Sequence, residues 1–178
     1  MTEPSVRRAQ EADLPALTML EQQTFRDTFQ DVYTPHDLEE FFSEKKSPAA
    51  VKAAFSQTGT MYFIISSEAQ DAGFIQLNLH RQPDNGTLLP EPVMELEKIY
   101  VLSKYIGKGL GKQLMDHAIK VARENFVRTL WLGVWEHNHR AKAFYEKEGF
   151  TAFGEHSFKV GQQTDRDLLM GKVLQAAE

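Results

Sequence analysis

The sequence predicts an α/β (α+β) fold, one mixed sheet covered by helices. Three observations carry that expectation. Runs of strand period at residues 60–66, 73–80, 94–101, 129–135, 151–160 and 164–173 are interleaved with runs of helical period. The strand at 94–101 (MELEKIYV) is followed by a glycine-rich turn, Gly107-Lys108-Gly109-Leu110-Gly111-Lys112, inside which a helix begins. The composition, 42% hydrophobic and 25% charged over 178 residues, is that of a globular domain with room for a real core, so residues 1–178 are read as a single domain.

Taken in order, residues 5–9 form a short first strand. Residues 10–29 form a helix with Asp13 in its first turn and Leu14, Leu17, Leu20 and Phe25 on its apolar face. Thr34-Pro35 and Ser47-Pro48 each place an N-cap before a proline at the first helical position. Residues 35–43 and 48–57 are therefore two short helices, and Gly59 ends the second. A polar turn at 67–72 joins strands 60–66 and 73–80 as an antiparallel hairpin. Pro83, Asn85-Gly86, Pro90 and Pro92 make 81–92 a loop. In 94–101, alternation sets Glu95, Glu97, Ile99 and Val101 on one face and Leu96, Lys98 and Tyr100 on the other. Leu110, Leu114, Ala118 and Ala122 mark the next helix, 129–135 is a strand, and 138–148 is a helix ended by Gly149. Gly161-Gln162-Gln163 turns between the last two strands.

Composition removes several classes. No apolar run approaches the ~20 residues that span a bilayer, so no membrane role is expected. The opening MTEPSVRRAQ lacks the apolar core of a signal peptide, and a cytoplasmic address is expected. The chain has 0 cysteines, so it has neither disulfides nor a thiolate nucleophile. A net charge of -5 argues against nucleic acid as partner and suits a cationic small substrate. His137 and His139 fall on different helix faces and His156 has no partner nearby in sequence, so no metal site is expected.

A strand, a glycine-rich turn and a helix start bind anions. The first N–H groups of a helix lack internal partners and the dipole favours negative charge there. Glycines let backbone approach a phosphate closely, and Lys108 and Lys112 add positive charge. A dinucleotide fingerprint fails because its third glycine comes one residue early and the strand has already ended. A P-loop fails because Gly111-Lys112 is followed by Gln113, and Ile106 stands where its first glycine belongs.

Residues 106–111 instead resemble the [Q/R]-x-x-G-x-[G/A] signature of the GNAT superfamily of acetyl-CoA-dependent N-acetyltransferases, with Ile106 in place of the usual Gln or Arg. The match extends to Asn138, Ala141, Phe144-Tyr145 and Gly149-Phe150, and to Val6-Arg7-Arg8-Ala9 with Asp13-Leu14-Pro15 at the start. The wording of ELEKIYV, GKGLGK and WLGVWEHN is similar to a bacterial polyamine (spermine/spermidine) acetyltransferase branch. The resemblance implies a mostly antiparallel sheet with a splayed central strand pair. It also implies acetyl-CoA as cofactor, and direct attack by a primary amine in a ternary complex.

By that resemblance, Ile106, Gly107, Lys108, Gly109, Leu110, Gly111 and Lys112 cradle the CoA pyrophosphate. Ile99, Tyr100 and Val101 offer backbone groups to the pantetheine arm and a donor to the thioester oxygen. Asn138 and Lys147 approach the cofactor; Asn138 reads equally as an N-cap and Lys147 as a solvated lysine. Tyr145 is the proton donor to the leaving thiolate, its alternative being an amphipathic core tyrosine. An amine resembling lysine has a pKa near ~10.4, so roughly one molecule in a thousand is free to attack at neutral pH. Glu97 or Glu95 can take its proton, Glu97 being nearer the strand's end; either also reads as charge on a solvated face.

The acceptor pocket is expected to draw on Phe25, Asp27, Phe29, Asp31 and Tyr33, with Trp135 and Glu136 beside the cofactor segment. Phe25 and Phe29, four apart, also read as core. The partner is then a small-molecule amine such as a polyamine, and the state of the chain is compatible with a homodimer. The rivals are a catalytically silent acyl-CoA-binding module and a peptide or protein N-acetyltransferase.

Overall fold

The computed structural model describes residues 2–175. In chain order the elements are β1 (Ser5–Arg8), α1 (Leu14–Phe29), α2 (Pro35–Lys45), α3 (Pro48–Phe55), β2 (Thr60–Ser67), β3 (Gln70–Leu79), β4 (Val93–Val101), α4 (Leu110–Glu124), β5 (Thr129–Trp135), α5 (His139–Lys147), β6 (Thr151–Val160) and β7 (Gln163–Val173). The strands build one 7-stranded sheet in the order β1-β2-β3-β4-β5-β7-β6. Every neighbouring pair is antiparallel except β4 and β5. These two run parallel and pair only at residues 93–95 against 129–131, then part. The expected mixed, mostly antiparallel sheet with a splayed central pair is therefore present.

Local chemistry explains the helix starts. Thr34 and Ser47 accept hydrogen bonds from the N–H groups of Asp37 and Ala50, with Pro35 and Pro48 opening the helices. The expected helix at 10–29 begins instead as a single 3-10 turn at Glu11–Asp13, where Asp13 accepts from the Gln10 N–H, and becomes α-helical at Leu14. Gly59 lies beyond the end of α3 and directs the chain into β2.

Two corrections concern strands. The turn expected over 67–72 contracts to Glu68-Ala69, because Ser67 pairs with Gln70. Both turn residues take positive φ (54 and 63), the twist a two-residue hairpin needs. The second correction matters for the site. In the β3–β4 ladder Leu77 faces Leu96 but Gln76 faces Lys98, so Glu97 is an extra residue in a β-bulge. The alternation expected in β4 slips there by one place. Glu95, Glu97, Lys98 and Tyr100 share the face of Gln76 and Asn78, while Ile99 and Val101 turn to the opposite face with Leu96. The two strands lie so close that a Cβ on Gly73 would sit 2.5 Å from the Tyr100 carbonyl oxygen.

The two sheet faces are covered differently. On one, α4 brings His117 edge-on to Phe63 and buries Leu110, Leu114, Met115, Ala118 and Ala122 against Ile75, Leu77 and Leu96. On the other, Phe55 of α3 packs on Tyr62, and Glu21 of α1 accepts from the Tyr62 hydroxyl. A separate aromatic cluster of Phe25, Phe29 and Tyr33 seals α1 and α2 against Val160, with Trp135 and Phe158 beside it. Among the described residues no helix is long and apolar enough to cross a membrane.

Candidate active site

Where β4 and β5 part, a cleft of about 1020 Å³ opens through the sheet, comparable to known ligand pockets. Its floor is the backbone of Ile99, Tyr100 and Val101, left without strand partners on the β5 side. At one end lie Ile106, Gly107, Gly109, Leu110 and Gly111. Gly107 and Gly109 have φ of 87 and 80, a conformation that side chains resist. Cβ atoms added at Gly107, Gly109 or Gly111 would meet nothing within 4 Å, so the space above the turn is open. No side chain caps α4 at Gly109, which leaves its first N–H groups directed at that space. This is a cradle that fits a pyrophosphate.

None of the three expected lysines is in the cleft lining. Lys112 is held by Asp116 (2.7 Å) and Glu148 (3.1 Å), bonds that raise its pKa. Lys108 is exposed, its ammonium 5.5 Å from the Tyr105 ring, and Lys147 is exposed and outside the cleft. Asn138 lines the cleft and caps α5 at once, accepting from the Ala141 N–H at 3.2 Å. The N-cap reading of that residue holds, and the same side chain faces the cleft.

Tyr145 is buried and lines the cleft from α5. Burial raises its pKa, and the nearby Tyr100 adds to the effect. Glu97 lines the opposite wall. Its Oε1 accepts from Arg81 at 2.9 Å and Asn78 at 3.1 Å, a fixed orientation for a carboxylate. Glu95 sits deeper, outside the cleft lining, also accepting from Asn78 (2.7 Å) and Arg81 (3.3 Å). Burial, followed by repulsion from Glu97, raises the Glu95 pKa.

The residues expected around an acceptor divide. Phe25, Asp27, Phe29 and Trp135 line the cleft. Tyr33 does not, because its hydroxyl is turned to Asp165 at 2.7 Å, the carboxylate that also holds the Trp135 indole at 3.0 Å. Glu136 is engaged by the Arg166 guanidinium at 2.8 and 3.0 Å, and Asp31 is exposed beyond the end of α1. Glu136, His137 and Asp165 place ligand-type atoms within 4.8 Å of one another, but these bonds already occupy two of the three.

Several cleft residues had no signal in local spacing. Lys46, Arg81, Lys98 and Asp167 arrive from the residue after α2, the 81–92 loop, β4 and β7. Asp167 is met from behind by His156, whose other nitrogen meets Asp84, at 3.2 and 3.0 Å. His156 thus has the partners its sequence neighbourhood lacks. The Asp167 bond, with Asp84 adding to it, pushes His156 up to about 9 against the cost of burial. A raised pKa stabilises the fold fully below the unfolded value of ~6.5, and the contribution disappears as pH rises through the folded one. Asp84 is 77% exposed, so the pair is partly screened. His156→Gln is expected to cost about 1 kcal/mol near pH 6 and nothing measurable above about pH 10, read by denaturant titration at the two pH values.

Comparison with known proteins agrees with this geometry. The family model described as "Acetyltransferase (GNAT) family" matches residues 18–150. The chain is 33% identical, over 98% of its length and 99% of the relative's, to an uncharacterized N-acetyltransferase in the pepI 3' region of Lactobacillus delbrueckii subsp. lactis. Among solved structures it is similar in fold to the PaiA N-acetyltransferase of Thermoplasma acidophilum in complex with coenzyme A (TM-score 0.74, 20% identity, 97% of this chain and 100% of that one). It is also similar to the ribosomal-protein-S18-alanine N-acetyltransferase of Escherichia coli (TM-score 0.69, 21% identity, 99% and 97%). The chain belongs to the GNAT acetyltransferase family. As a member of that family it is an N-acetyltransferase that uses acetyl-CoA.

Proposed function

We propose that the chain acetylates a primary amine bound in the cleft, with Glu97 receiving the amine's proton and Tyr145 supplying one to the leaving sulfur. The observation that carries this is the shared cleft: Glu97, Tyr145 and the glycine cradle line one space. Acetyl-CoA, when bound, supplies the acetyl group as a thioester. Gly107, Gly109 and Gly111 hold its pyrophosphate through backbone N–H groups, and the unpaired backbone of Ile99 to Val101 takes its arm as an added strand. Arg81 and Asn78 orient Glu97 toward the amine, and Glu95, with its raised pKa, is the assisting group behind it. With 0 cysteines there is no thiol to carry an acyl group, which favours direct attack in a ternary complex.

The finer acceptor reading, a polyamine, rests on the resemblance and on Asp27, Glu97 and the rings of Phe25, Phe29 and Trp135 in the cleft. The cytoplasm is the matching location for a reaction fed by acetyl-CoA. The test is thiol release with spermidine, spermine, monoamines, amino acids and short peptides. Glu97→Gln is expected to lower kcat/KM for whichever amine reacts about a hundredfold, and Glu95→Gln by less. Full activity of Glu97→Gln across the pH range removes it as the base.

A further inference from the structure

We propose that the acceptor carries a carboxylate beside its amine, and that Lys46 binds that carboxylate. The inference rests on the amine-acetylation reading alone and sets an amine bearing a carboxylate in place of the polyamine. It starts from Glu21, a carboxylate 1% exposed inside the molecule. Its two oxygens accept from Lys46 at 3.2 Å, from Lys98 at 3.0 Å each, and from the Tyr62 hydroxyl at 3.2 Å. Two ammonium groups therefore share one counter-charge.

Lys98 has a second anion, Glu97, at 3.8 Å. Lys46 has no second salt-bridge partner among the described residues, Glu97 acting on it only from farther away. It is 6% exposed, and besides Glu21 its ammonium faces the rings of Phe25 at 5.4 Å and Phe41 at 6.0 Å. An ammonium has three hydrogens to donate, and burial penalises a charge that is incompletely paired. Burial and then repulsion from Lys98 draw its pKa down to about 8, while the Glu21 carboxylate at 3.2 Å favours its charged form. Lys46, Phe25 and Phe41 all line the cleft. The under-paired cation is thus on the wall an acceptor meets.

The other carboxylates of the cleft already accept hydrogen bonds. Asp27 accepts from the Ser103 N–H, Asp167 from His156, and Glu97 from Arg81 and Asn78. A carboxylate arriving at Lys46 completes its shell. A second ammonium placed against Lys46 would meet a like charge and could accept no bond from it. The chain Glu97–Lys98–Glu21–Lys46 also sets the separation: the reacting amine sits at one end of this network and the carboxylate at the other.

The probes are ω-amino acids of increasing chain length, each beside its own carboxamide, which keeps the amine and removes the charge. Binding to the protein saturated with CoA is read by calorimetry, so the result does not depend on turnover. At one chain length the acid is expected to bind about tenfold tighter than its carboxamide, or more. Lys46→Met should erase that gap and Lys46→Arg retain part of it. Glu21 keeps Lys98 and Tyr62 in these variants, and their affinity for CoA checks that they are folded. Equal binding of acid and carboxamide at every length overturns the proposal. So does a gap that survives in Lys46→Met, or spermidine binding tighter than every acid. Charge-selective binding without thiol release from acetyl-CoA leaves Lys46 as the anchor and counts against the proton roles of Glu97 and Tyr145.

Discussion

Tyr145→Phe is expected to lower turnover about a hundredfold while the affinity for acetyl-CoA changes by less than about threefold. The substitution removes one hydroxyl and little else. The ring is held by Phe144 and Phe150, with centroids at 5.5 and 6.0 Å, and these contacts survive in phenylalanine. The hydroxyl has no hydrogen-bond partner among the described residues and lines the cleft, so its loss leaves no buried group unpaired. Burial and Tyr100 raise its pKa, which keeps the proton on the hydroxyl across the neutral range. Thiol release under saturation, set beside CoA binding by calorimetry, separates the two effects. Unchanged turnover would remove Tyr145 from the chemistry and return it to the core.

Glu21→Ala is expected to cost about 3–5 kcal/mol of stability, since it strands two ammonium groups in the interior. The sizes of the opposing effects decide this. Burial pushes the Glu21 pKa up, but Lys46 and Lys98 together outweigh it and hold the carboxyl below its ordinary range. A depressed pKa contributes stability above the unfolded-state value, lost as pH falls through the folded one. The cost of Glu21→Ala should therefore shrink in acid. Replacing Glu21, Lys46 and Lys98 together by Leu, Met and Met should recover most of the loss, because apolar groups of similar volume leave nothing to desolvate. Denaturant unfolding of the single and triple variants checks both statements. A triple variant no better than the single one would mean that packing around α1, and not charge, sets the cost.

Local signals were legible in the sequence and distant ones were not. Thr34-Pro35 and Ser47-Pro48 mark helix starts because the cap and its N–H lie three residues apart. The glycine turn could be read because its function lies in its own backbone. The β4 bulge could not, since a one-residue slip leaves the residue types unaltered while reversing the faces of Ile99 and Val101. Tyr33, Asp31 and Glu136 have the composition of a cation site, but Tyr33 and Glu136 found other partners, Asp165 and Arg166. The network around Glu21 joins residues 25 and 77 places apart, and no period or spacing encodes such a meeting.

The brief parallel pairing of β4 with β5 has a mechanical consequence. Strands β5, β7 and β6 form one plate and β1 to β4 another, and in the sheet only three residue pairs stitch them together. Helices span the seam, but its far half is unlaced. A molecule that threads it takes the place of missing strand-to-strand bonds and joins the two plates. Rigidity of the two plates is then tied to occupancy, so strands far from the ligand feel its arrival through the stiffness of the seam.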